Sequence, residues 1–169
     1  SSAPAFVPDR RSTRAWDNPR MPGPELIEMV VESVRVHMLS SRHVVILKEA
    51  ERDRYLPIWI GPWEASAIAM KLQGLAAERP LTHDLITSIF DRLEIEIARV
   101  VISDLIDNTF YASLYLLHNN KEFHIDSRPS DAIAIAIRIG APVFVEEEVI
   151  AKQDQSTLDT WMKNLGMSP

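Results

Sequence analysis

The chain of 169 residues contains no cysteine and only five glycines. The first absence removes disulfides, thiolate nucleophiles and cysteine zinc sites. The second leaves no Gly-rich phosphate cradle: there is no dinucleotide fingerprint and no P-loop, and HExxH and Gly-x-Ser-x-Gly are missing as well. No apolar run approaches the roughly 20 residues that span a bilayer, so no membrane association is expected and a cytoplasmic protein is the simplest inference. The basic N-terminal stretch, with Arg10, Arg11, Arg14 and Arg20, has no apolar segment of the secretory kind. An excess of positive charge is also lacking. The formal net charge is −6, and between Glu25 and Ala151 there are 12 Lys and Arg against 20 Asp and Glu. Broad binding to a phosphate backbone is therefore disfavoured. Any nucleic-acid contact has to come from a local basic spot, a bound cation or the N-terminal arm.

What is present is enough for one core, with 46% hydrophobic residues. Residues 1–24 read as a flexible basic arm or an extension, with Met21 a candidate start; residues 25–151 read as the domain, and 152–169 as a C-terminal helix or tail. Leu26 to Val36, His43 to Glu49 and Tyr55 to Ile60 alternate as strands and suggest an antiparallel meander, with Glu28, Val30, Glu32, Val34 and Val36 on one side of the first. Gly61-Pro62-Trp63-Glu64 starts a helix, and Thr82 is placed to cap a second from His83 to about Leu93. Period-two patterning returns at Glu94 to Val100, Phe110 to Leu117 and Glu122 to Ile125, with hairpin signals at Asp107-Asn108 and Asn119-Asn120.

Ala132 to Ile139 is apolar nearly all round. Pro129 ahead of it and Gly140 behind it make it a helix, buried against the sheet and open to assembly with another subunit. Val143 to Val145 is a short strand, and Thr157 to Leu165 a final helix closed by Gly166. Met29, Met38 and Met70 read as core filler. Trp59 and Trp63 read as plugs of the strand-to-helix corner, with base stacking as the alternative. Strands in runs and helices in pairs imply an α+β fold with a largely antiparallel or mixed sheet.

Three segments hold the candidate chemistry, each at or beside a helix start: Gly61 to Glu64, Arg79 to Asp84, and His124-Ile125-Asp126-Ser127-Arg128-Pro129-Ser130-Asp131. The third packs two carboxylates, a guanidinium, two hydroxyls and an imidazole before the apolar helix. Unpaired N–H groups and the dipole there favour an anion, and Arg128 adds a bidentate grip on phosphate or carboxylate. The structural alternative is a cap by Ser127 or Asp126 with Arg128 clamped to Asp131 or Asp126. If the three helix starts meet, Glu64, Asp84, Asp126 and Asp131 offer hard oxygen ligands for a magnesium-type ion, and His83 or His124 a general base.

The segments Leu56 to Ala65, Arg79 to Leu85 and His124 to Ala134, in that order, resemble the bifunctional nuclease family, and the resemblance covers about Leu26 to Ala151. It implies a compact α+β domain, homo-oligomeric with a dimer as the simplest form, that degrades both DNA and RNA. The expected function is thus phosphodiester hydrolysis assisted by magnesium or manganese. Asp84, Asp126 and Asp131, with Glu64, hold the ion or its waters, and His83 activates water. Arg128 and Ser130 bind the phosphate. The rival expectation is a non-catalytic module that binds an anion or a partner and oligomerises through the Ala132 to Ile139 helix.

Overall fold

The computed structural model describes residues 23–153 and 155–166; the N-terminal arm expected at 1–24 lies almost entirely outside them. Strands β1 (Leu26–Val36), β2 (His43–Glu49) and β3 (Tyr55–Ile60) form the expected antiparallel meander. The simple alternation expected along β1 does not hold. The register shifts between Val31 and Ser33, so Ile27, Met29 and Val31 face the core, and beyond the extra residue Val34 does. Inserting one residue exchanges the faces of everything after it.

After helices α1 (Pro62–Leu72) and α2 (Thr82–Arg92), a second meander follows: β4 (Glu96–Ile106), β5 (Thr109–His118) and β6 (Lys121–Ser127). Its loops are the two Asn-bearing junctions. Asp107 and Asn108 have φ of 49° and 61°, and Asn119 and Asn120 have 50° and 60°. Paired left-handed residues give the twist that a two-residue hairpin requires, and Asn and Asp tolerate them best after Gly. Glu94, expected to open a strand, instead has φ 55° and ends the turn after α2, so β4 begins two residues later and runs on to Ile106.

The two meanders are joined by a short strand. β7 (Val143–Glu146) lies between β1 and β4, antiparallel to the first and parallel to the second, in the order β3-β2-β1-β7-β4-β5-β6. The sheet is therefore mixed. Helix α3 (Pro129–Ile139) crosses one face, in contact with β4, β5, α1 and α2. Ala132, Ile133, Ala134, Ile135 and Ala136 are all at most 2% exposed. The other subunit expected against this helix is not what covers Ala132 to Ala136: α1 and α2 of the same chain pack there, while Ile139 at the end of the helix stays 44% exposed. Gly140, at φ 74°, ends it in the left-handed conformation that only glycine adopts without strain.

The short helix α4 (Glu147–Ala151) precedes α5 (Gln155–Asn164), which covers part of the opposite face. There Met162 and Leu165 pack on Val44 and Ile46, and Trp161 meets Trp59 edge to face with centroids 4.3 Å apart. Met29 is buried as expected. Met38, at 83% exposed, is not core filler, and Trp63, equally exposed, plugs nothing.

Candidate functional site

Three helix starts do converge. Arg128 occupies the N-cap of α3 with extended backbone, φ −69° and ψ 143°, the conformation that a following proline imposes. This displaces Ser127 and Asp126 from the capping role: Ser127 Oγ donates to the Arg128 carbonyl instead. The Arg128 guanidinium donates from Nε to Asp131 Oδ2 at 2.8 Å, within the first turn of α3. From Nη2 it donates to Glu64 Oε1 at 2.7 Å, in the first turn of α1. Glu64 folds back over Gly61, where a methyl group would collide with its carboxylate. The second oxygen of Asp131 meets Nε2 of His83, from the first turn of α2, at 2.9 Å. A chain of four side chains, His83–Asp131–Arg128–Glu64, thus ties the three starts together. It runs from a buried imidazole to a guanidinium that is 64% exposed.

Two other candidates do not join it. Asp84 accepts the Leu81 N–H at 2.9 Å and Arg138 Nε at 2.8 Å, while Arg138 also donates to the carbonyls of Ala134 and Ala67. Leu81 rather than Thr82 is therefore the N-cap of α2, and Asp84 serves that helix end. Arg138 is seven residues beyond Asp131, about 10 Å along the α3 axis. Asp126 lies across from Ser113, whereas its neighbours Ile125 and Ser127 lie across from the buried Leu114 and Ala112. Alternation places Asp126 on the face of the sheet opposite α3, together with His124, which pairs with Glu122. The expected gathering of Glu64, Asp84, Asp126 and Asp131 around one point is not what the fold builds.

Among the described residues, no group of three or more His, Asp or Glu side chains is placed to hold a metal ion. The oxygens of Glu64 and Asp131 face Arg128 and His83. As arranged, this donor set does not fit a resident cation, which takes several free carboxylate or carbonyl oxygens.

The electrostatics follow the pairing. Burial opposes ionisation of Asp131, but the hydrogen bonds and charges of Arg128 and His83 outweigh it and hold its pKa below the ordinary value. The Leu81 amide, followed by Arg138, does the same for Asp84. A carboxylate with a depressed folded-state pKa contributes stability that is fully present above its unfolded pKa. That stability is lost as pH falls toward the folded value. Asp84→Asn is therefore expected to melt below the parent at about pH 6, with the gap narrowing as pH falls below the ordinary carboxylate range and through the folded value. A difference that persists into acid would show that Asp84 acts through something other than its charge.

Arg128 and Ser130 form one wall of a groove of about 330 Å³. Arg42, Trp59, Asn108 and Phe110 contribute to the rest. Sequence reasoning missed Arg42 and Phe110, because no spacing links a residue of the β1–β2 loop or of β5 to the start of α3. The Asp107-Asn108 turn was legible as a turn, and nothing in it indicated a place on a groove.

Fold and groove define a class: an α+β domain whose mixed sheet presents an arginine-fronted recess at the starts of two helices, with the start of a third tied in behind it. The chain belongs to the bifunctional nuclease domain family, which matches residues 45–157. It is 47% identical over 125 residues to an uncharacterized protein of Mycobacterium tuberculosis, across 74% of each chain. It is also 27% identical over 120 residues to bifunctional nuclease 1 of Oryza sativa subsp. indica, covering 69% of this chain and 36% of that one. Bifunctional nuclease 2 of Arabidopsis thaliana is 22% identical over a similar span. Among the described residues no helix is long and apolar enough to cross a membrane.

Proposed function

We propose that this chain is a nuclease that hydrolyses phosphodiester bonds of DNA and RNA at the Arg128 groove. The observation that carries this is the joining of His83, Asp131, Arg128 and Glu64, from three helix starts, behind an open recess in a member of a nuclease family. Arg128 has the part best supported by geometry. Its exposed guanidinium is held in place by two carboxylates, so it meets charge developing on a phosphate without first having to be ordered. Ser130, beside it on the groove wall, is the second phosphate contact. Asp131 orients the His83 imidazole through Nε2; the ring is buried behind the groove wall and not on it, so in this proposal His83 takes the proton from the attacking water through one bridging water. Asp84 and Asp126, engaged elsewhere or on the other face, have no part in the step. Magnesium or manganese enters this proposal only with the substrate, because such ions commonly rest on substrate phosphates and few protein ligands.

The test uses the purified chain with end-labelled single- and double-stranded DNA and RNA, with magnesium, with manganese and with chelator. Cleavage by the parent and its loss in both His83→Ala and Asp131→Asn are expected. A parent that cuts no substrate under any of these conditions, or a His83→Ala variant as fast as the parent, would end the hydrolytic reading. A thermal shift with phosphates but no cleavage would favour an anion-binding module.

A further inference from the structure

We propose that Arg42 is the groove's principal phosphate-binding cation and that the recess takes an unpaired nucleotide of a single strand. This rests on the nuclease reading and adds to it a residue and a substrate form. Arg128 is already neutralised by Glu64 and Asp131. Arg42 is exposed and lines the same groove, and among the described residues it pairs with no carboxylate. Its guanidinium lies 4.1 Å from the centroid of the Trp59 ring. A cation–π contact orients the guanidinium while leaving its in-plane N–H donors open to an anion.

The support for Arg42 is itself built. Its carbonyl accepts the His37 N–H at 2.8 Å, closing the β1–β2 loop, and Trp59 is braced by Trp161 of α5. In a chain of formal charge −6 a pre-positioned arginine with no carboxylate partner among the described residues is a local basic spot of the kind that phosphate contact requires. The form of the ligand follows from size and lining. A volume of about 330 Å³ is at the small end for ligand recesses, room for one nucleotide that has left its base pair. Phe110 on the wall supplies an aromatic surface for the base, the combination of cation and aromatic used by single-strand binders.

The experiment measures binding of a labelled single-stranded oligonucleotide, and of the same sequence as a duplex, to the full chain in chelator between about 50 and 200 mM salt. The parent should prefer the single strand. In Arg42→Ala, affinity for the strand is expected to fall about tenfold. The slope of log affinity against log salt should fall by about 0.7, one phosphate contact on a single strand. Arg42→Lys should recover the slope and only part of the affinity, because lysine keeps the charge and loses the planar fork. Trp161→Ala should weaken binding as Arg42→Ala does, with Trp161→Phe restoring it.

If the parent binds and cuts nucleic acid and Arg42→Ala matches it in affinity and slope, this inference fails and the nuclease reading survives. Equal retention of duplex, or displacement of the strand by an equal concentration of inorganic phosphate, overturns the single-strand assignment. A parent that neither binds nor cuts any nucleic acid overturns both.

Discussion

Arg128→Ala is expected to slow phosphodiester cleavage by on the order of 10²-fold while leaving the melting temperature nearly unchanged. The rate effect is the typical loss when one pre-organised donor to developing negative charge is removed. It should lower kcat and kcat/KM together, since the contact matters most in the transition state. The small effect on stability follows from exposure: the side chain is 64% accessible, and exposed ion pairs contribute about 0–1 kcal/mol. Arg128→Lys should regain part of the rate, because one ammonium cannot reach Asp131 and Glu64 as a planar fork does. Cleavage rates alongside thermal melts check this. Unchanged cleavage in Arg128→Ala would leave the residue as a clamp between α1 and α3 and nothing more. A large fall in melting temperature would show that the network is chiefly structural.

The largest expected loss of stability belongs to Ile133→Ala. Ile133 is fully buried in α3, between the sheet and the two helices above it. Truncating a core isoleucine costs about 2–5 kcal/mol, the lost transfer energy plus the cavity left behind. At roughly 2–4 °C per kcal/mol for a chain of this size, the melting temperature should drop by about 10 °C. Ile139→Ala, at the end of the same helix and 44% exposed, should stay within about 0.5 kcal/mol of the parent. Thermal or urea melts of the two variants side by side make the comparison. Equal losses would mean that Ile133 is not packed as described, since composition alone treats the two positions alike.

The Ala132 to Ile139 segment shows what patterning conveys and where it stops. A run apolar on every side requires cover on every side. That requirement is local and readable. The identity of the cover is not, because α1 and α2 lie some 40 to 70 residues earlier in the chain, and nothing in their sequences names α3 as partner. The same limit explains β1: its alternation is visible, but the extra residue at the Val31/Ser33 shift appears only when β2 sets the register. Met38 and Trp63 were misplaced because hydrophobicity predicts burial only on average.

The candidate site divides in the same way. Clustering of ionisable residues at helix starts marked His83, Arg128, Asp131 and Glu64, and the fold joined them. Identical local logic marked Asp84 and Asp126, and the fold separated them. For Asp126 the deciding factor is the parity of β6: one residue along a strand is a change of face. For Asp84 it is Arg138, whose reach to the start of α2 depends on how two helices pack.

Sequence alone determined the α+β class, the Asn-bearing hairpins, the glycine-ended apolar helix and the kinds of residue that gather at three helix starts, because each arises from backbone sterics, periodicity or capping within a few residues. Tertiary structure alone decided the position of β7 between the two meanders, the side on which each carboxylate lies, and the meeting of Arg42 with Arg128 across one groove. Those outcomes depend on contacts between segments distant in the chain, whose energies arise only once the sheet has closed around its core.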